Sequence, residues 1–441
     1  MPIVRTCLFL LRLAGHLLAS LALVVGLLLA STSGCLAQSS AAPRLDAGNT
    51  AWMLIATALV LLMSLPGVAL FYGGMVRRKN VLSTMSQTVA IAAVVSLTWC
   101  VLGYSLAMRP GNAFVGGLDR VFLGGLTLDA LAGNAGANIP ESVFAMFQLS
   151  FAIITTALVP GAFAERMKFP AVLLFAALWS VLVYAPVAHW VWEPGGWLAR
   201  LGALDYAGGT VVHINAGVAG LVCALVMGPR EGFGRQAMTP YNLALTLTGA
   251  ALLWVGWFGF NAGSALAADS RAGMAMLATQ LAAAMAAVSW MGIEWLTRGR
   301  PSALGLVSGA VGGLVAITPA SGFVTPGSAL LIGLVAGAGC YLGATALKRM
   351  LGYDDALDAF GIHGVGGIIG ALLTGWLAAP AIGGVRGNML AQLAGVGATV
   401  LYSAAMTLVV LLVIDRLVGL RVDATTESEG LDLVEHGEVI A

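Results

Sequence analysis

Two histidines, His213 and His363, stand inside long apolar runs of a chain in which only 9% of residues are charged. An ionisable side chain inside lipid is costly and points by default to a function. A neutral imidazole offers one donor and one acceptor nitrogen, so two facing rings can share one hydrogen bond and present their other nitrogens to a passing solute. That suits a small molecule that donates and accepts hydrogen bonds and exchanges protons. It suits bare Na⁺ or K⁺ poorly, because no ring of carboxylates or carbonyls is apparent. The plain alternative for each histidine is a packing group with a satisfied hydrogen bond. A metal site is a third reading, and it lacks a third clear ligand. The five cysteines, at 7, 35, 100, 223 and 340, show no paired spacing, so neither a zinc site nor a disulfide framework is expected.

The two histidines are related by an internal repeat. His213, Gly217 and Gly220 match His363, Gly367 and Gly370 at the same spacing, which puts each triplet on one helix face. Gly67, Phe71 and Gly74 likewise match Gly256, Phe260 and Gly263. Paired glycines let helix backbones approach closely. An aspartate precedes each histidine, Asp205 and Asp358. Asp205 opens the stretch Asp205–Thr210, where a carboxylate can accept hydrogen bonds from free backbone amides at a helix start; direct cation coordination is the competing role. Trp192 can attract a cation through its ring face, or can serve as an interfacial tryptophan like its neighbours Trp190 and Trp197.

These residues require a lipid-embedded scaffold. Hydrophobic residues make up 59% of the 441, and there are 58 glycines, whereas soluble domains carry about 25% charged residues. Lys and Arg (21) balance Asp and Glu (20), so no basic field points to nucleic acid. Residues 1–37 read as a signal peptide: Arg5 and Arg12 precede an apolar run from Leu17 to Ala30, and Cys35-Leu36-Ala37 resembles a cleavage site. A retained helix or a lipoprotein site at Cys35 are the alternatives. The transmembrane domain is expected over 46–416, as eleven spans of about 20 residues each. They fall at about 50–75, 80–107, 142–164, 169–188, 210–228, 240–266, 273–296, 302–319, 327–347, 359–379 and 389–414. The span at 302–319 is short and rich in glycine. Thirteen Lys and Arg residues, among them Arg77, Arg166, Arg230 and Lys348, fall on one side, and six, among them Arg109, Arg120 and Arg271, on the other. The positive-inside rule then puts the mature N-terminus outside and the C-terminus in the cytoplasm, as an odd number of spans requires. Two halves of five spans lie in opposite senses across the membrane, the inverted repeat of many transporters. The fold class is therefore all-α and polytopic, and a polar, acidic tail at 417–441 extends into the cytoplasm.

Five stretches carry a family resemblance: Pro66–Gly74 (PGVALFYGG), Gly161–Arg166 (GAFAER), Asp205–Asn215 (DYAGGTVVHIN), Gly256–Ser264 (GWFGFNAGS) and Asp358–His363 (DAFGIH). In order and without large gaps from about residue 46 to the tail, the chain resembles the ammonium transporter (Amt) family. The resemblance implies eleven helices, a homotrimer in the inner membrane, and one pore through each subunit with His213 and His363 as its twin histidines. It implies an outer ammonium-recruitment site at Phe147, Phe151, Trp192 and Ser264, a stacked gate of Phe151 and Phe260, and a required carboxylate at Asp205. Family members recruit NH₄⁺ outside and are thought to pass ammonia and the proton separately. K⁺ cannot lose a proton, which supplies the discrimination.

The tail stretches Gly419–Val422, Glu429–Asp432 and His436–Glu438 also resemble the family's, which implies a PII-type signalling protein as a partner. The usual aromatic near the end is absent, where the chain closes Val439-Ile440-Ala441. A Rhesus-like gas channel and an ammonium sensor acting through PII are the alternatives. An intramembrane hydrolase finds no motif, so the chain is expected to be a transporter without a cofactor.

Overall fold

The computed structural model describes residues 44–132 and 137–440; the expected signal peptide lies outside the described residues. Among the described residues ten helices are long and apolar enough to cross a membrane, and an eleventh, shorter one, completes the expected series. In chain order they are α1 (Ala47–Met75), α2 (Arg78–Met108), α3 (Glu141–Phe163), α4 (Phe169–Leu201, broken after Trp192), α5 (Gly209–Met227), α6 (Leu243–Gly263) and α7 (Ser270–Arg298), then α8 (Ala303–Ile317), α9 (Pro326–Leu351), α10 (Phe360–Leu377) and α11 (Met389–Val418). The protein is thus an all-α, multi-pass membrane protein. Helix starts follow the sequence closely. Asn242, Asp269, Ser302, Thr325 and Asn388 each accept a hydrogen bond from a backbone amide of the first turn.

The bundle is built around α3 and α5, whose apolar windows are 83% and 78% buried, against 39% for α2, α9 and α11. Leu97, Leu296 and Leu390 on those less enclosed or outlying helices project outward, as a lipid-facing surface requires. Helix α6 packs along α1, as the Gly67/Gly256 repeat predicts, while α5 packs against α10 and α11, and α7 against α8 and α9. The short α8 is tolerated because its glycines bring it against α7: a Cβ on Gly313 would lie 2.5 Å from the Ala282 carbonyl oxygen.

At the face that bears the tail, buried charges knit the two halves together. The Glu165 carboxylate accepts from the Arg77 backbone N–H at 2.6 Å and its Nε at 2.7 Å. Arg230 forks onto Asp354 at 2.8 and 2.9 Å, and the fully buried Arg166 donates to the carbonyls of Ala162 and Asp354. Burial alone would raise the Asp354 carboxyl, but its hydrogen bonds and attraction to Arg230 hold it below the usual range. The tail folds back as α12 (Ala424–Glu429) and α13 (Leu431–His436). Its carboxylates serve as caps: Asp432 accepts from the amides of Leu82 and Ser83, and Glu435 from that of Phe169. Arg421 bridges Glu427 at 2.7 Å.

Candidate functional site

Both histidines sit in a π-helical turn, Gly209–Ile214 at the start of α5 and Phe360–Gly364 at the start of α10. Such one-residue wide turns inside α-helices recur at functional sites. Each turn is held by a carboxylate upstream. The Asp205 side chain accepts from the backbone amides of Gly208, Gly209, Thr210 and Val211 at 2.6–3.0 Å. Asp355 accepts from those of Ala359 and Phe360 at 3.0 and 2.8 Å. Asp355 precedes His363 by eight positions, as Asp205 precedes His213. The repeat partner of Asp205 is therefore Asp355, which the sequence reading missed although the spacing carried it. Burial, partly offset by Lys348, pushes the Asp355 carboxyl up to about 6. Asp358, the residue that reading named, instead pairs with Lys348 at 2.8 Å.

The glycine repeat closes the gap between the turns. A Cβ on Gly217 would lie 2.3 Å from the backbone nitrogen of Gly364, so only glycine permits this crossing. The imidazoles then face each other with planes 18° apart, and one Nδ1 donates to the other across 3.3 Å. His213 is also stacked on Trp257 at 5.3 Å, a neighbour the sequence reading did not single out. The His213 Nε2 is buried without a protein partner. Around the pair lies a cavity of about 10 Å³, lined by Phe71, Tyr72, Ile154, Leu253 and Trp257. That is room for about one water-sized molecule.

A wider cavity of about 130 Å³ lies beyond a pair of phenylalanines. Phe151 and Phe260 stack with centroids 4.1 Å apart; Phe151 lines the wide cavity and Phe260 stands 6.0 Å from the His213 ring. Phe147, Trp192 and Ser264 complete the wide cavity's wall, with Gln148 and Tyr206. Phe147 and Trp192 meet Phe151 edge-on at 4.8 and 5.6 Å. The Trp192 indole donates to the Asp205 carbonyl at 2.9 Å, which fixes its ring. The Ser264 hydroxyl donates to the Phe260 carbonyl at 2.9 Å, so its lone pairs are left for a donor. Ring faces and one oxygen acceptor around a small cavity suit a compact cation with N–H groups. No cluster of three or more potential metal ligands occurs among the described residues.

The family model described as Ammonium Transporter Family matches residues 51–440. The chain belongs to the ammonium transporter family. An ammonium transporter of Aquifex aeolicus is 52% identical over 402 residues, which cover 90% of this chain and 93% of the relative. Among solved structures, Saccharomyces cerevisiae Mep2 superposes with a TM-score of 0.80 at 38% identity, covering 87% of this chain and 89% of Mep2. A structure described as a sensor Amt protein gives a TM-score of 0.81 at 30% identity, covering 88% and 98%. Members of the ammonium transporter family are transporters, and the chain is therefore a membrane transporter of ammonium and not an enzyme.

Proposed function

We propose that NH₄⁺ is recruited in the wide cavity by the ring faces of Phe147, Phe151 and Trp192 and by the Ser264 oxygen. It gives up a proton to water before the Phe151–Phe260 gate; ammonia then passes His213 and His363, and the proton crosses separately, so that one charge moves per ammonium. The observation that carries this reading is the change of room and chemistry along one line: an aromatic cavity of about 130 Å³, a stacked gate, then about 10 Å³ beside two shared imidazoles. Carrying an intact charge through the apolar middle would cost roughly 3 kcal/mol or more, and proton loss avoids that cost. Asp205 supports the site electrostatically and by holding the His213 turn, and Asp355 holds the His363 turn.

The wide cavity faces outside in this reading, because the basic residues gather at the opposite, tail-bearing end. In this reading the chain lies in the inner membrane with the mature N-terminus outside and the docked tail in the cytoplasm. A homotrimer and a PII-type protein bound at the tail-bearing face are the assembly and partner it implies. A second reading, signalling ammonium availability through such a partner, is favoured by the likeness to the sensor Amt protein. Currents from purified protein on a solid-supported membrane test the proposal. An ammonium-evoked current that potassium neither evokes nor blocks is expected. A potassium-evoked current of similar size would overturn it, and intact uptake without current would assign gas conduction.

A further inference from the structure

We infer that the Gln148 carboxamide is a further ligand for ammonium in the wide cavity and the group that sets its preference over methylammonium. The inference rests on the outer recruitment site proposed above and adds a residue to it. Gln148 lies on α3 between Phe147 and Phe151 and lines the cavity with Trp192 and Ser264. It is only 9% exposed, and its Oε1 is buried without a hydrogen-bond partner. A buried carbonyl left unpaired among aromatic rings destabilises a fold. A residue that breaks this rule inside a binding cavity points to a ligand that satisfies it.

The Trp192 and Ser264 protons are committed elsewhere, and the Tyr206 hydroxyl, also without a partner, sits on a ring packed into the wall. The Trp192 N–H is held by the Asp205 carbonyl, and the Ser264 proton by Phe260. The Tyr206 ring is turned into the wall, where a Cβ on Gly322 would sit 2.3 Å from its Cζ, with Arg271 stacked over its face at 5.0 Å. That leaves the Ser264 lone pairs and the Gln148 carboxamide, whose oxygen is packed in the cavity wall and reaches a bound ion by a half-turn of the amide, as directional acceptors. An ammonium ion carries four N–H donors, and methylammonium three and a methyl group. Ring faces accept a methyl nearly as well as an N–H, so the rings alone distinguish the two ions poorly. A second directional acceptor counts donors, and so favours the ion with four.

The test measures half-saturating concentrations for ammonium and methylammonium with purified full-length protein in proteoliposomes. Leucine fills the volume of glutamine without its polar atoms, and glutamate keeps an acceptor oxygen. Gln148→Leu is expected to raise the half-saturating ammonium concentration about tenfold, with a maximal rate within about twofold and a methylammonium value shifted by less than about threefold. Its thermal midpoint should be unchanged or higher, because an unpaired polar group is removed. Gln148→Glu should restore ammonium half-saturation to the wild-type value or below. The inference is overturned if Gln148→Leu leaves ammonium half-saturation within twofold, raises both ions' values equally, or lowers the thermal midpoint. Trp192→Leu, measured alongside, separates the two levels of the argument. If Trp192→Leu weakens ammonium and Gln148→Leu does not, Gln148 alone is wrong; if neither does, the recruitment site itself falls.

Discussion

Gly217→Ala is the smallest change that should disable the histidine pair without touching it. The added Cβ would meet the Gly364 backbone nitrogen at 2.3 Å, its Cα at 2.5 Å and the His363 carbonyl carbon at 3.1 Å. All three are backbone atoms, so no side chain can swing aside. Ordinary contact demands that α5 and α10 part by roughly 1 Å, since close-packed interiors hold no slack for such an atom. The His213–His363 contact stands at 3.3 Å already, near the upper limit for a hydrogen bond, and a further 1 Å breaks it. Overpacking of this kind costs about 1–3 kcal/mol, which a bundle of eleven helices should survive. Purified Gly217→Ala should therefore remain folded, with a lower thermal midpoint, while ammonium uptake falls by an order of magnitude or more. Gly397→Ala on α11, where nothing lies within 4 Å, serves as the control; it should keep full uptake and gain about 0.5–1 kcal/mol of helix stability. Full uptake by Gly217→Ala at wild-type stability would refute the reasoning.

Other outcomes follow from the same geometry. Asp205→Asn keeps the shape but turns an NH₂ toward amides that need an acceptor; it should cost about 2 kcal/mol or more in thermal or denaturant stability and lower uptake. Arg230→Gln leaves the buried Asp354 without its hydrogen-bonded guanidinium partner, with only Arg166 at 3.9 Å opposite it, and should cost roughly 3 kcal/mol, part of it recovered when Asp354→Leu is added. Because the Asp354 carboxyl is held below its unfolded value, its share of stability is full above about pH 4 and lost as pH falls through the folded value. The acid limb of a pH–stability profile should therefore be shallower in the double variant than in the wild type. Asp432→Ala uncaps α2, and hydrogen exchange at the Leu82 and Ser83 amides should speed up with little change elsewhere.

How legible this was from sequence differs by level. Span number and the histidine repeat were readable because apolar length and glycine spacing are direct consequences of the bilayer and of close helix crossing. The π-turns were not, since their extra residue leaves no mark in hydrophobic periodicity; they decide where the rings of His213 and His363 point. Asp355 shows a different failure. Its eight-residue offset was visible, but Asp358 lies nearer to His363 and also follows an apolar helix, and only backbone direction reveals which carboxylate meets the free amides. The Phe151–Phe260 stack joins α3 to α6, a contact between distant segments that residue types alone do not specify. The family resemblance named both rings. Their 4.1 Å separation came from the fold. Likewise Arg77, Arg166 and Arg230, read as charges that orient the chain, are largely consumed in buried pairs, Arg77 with Glu165 inside the first half, and Arg166 and Arg230 with Asp354 of the second.

The central claim is that solute passes along the shared edge of His213 and His363. It is tested most directly by comparing ammonium uptake and potassium uptake in proteoliposomes carrying wild-type protein or His213→Ala with His363→Ala. The account predicts that the double variant, folded and reconstituted to the same level, loses ammonium uptake or loses its rejection of potassium. Unchanged uptake with unchanged ion selectivity would contradict it and leave the pair a packing feature.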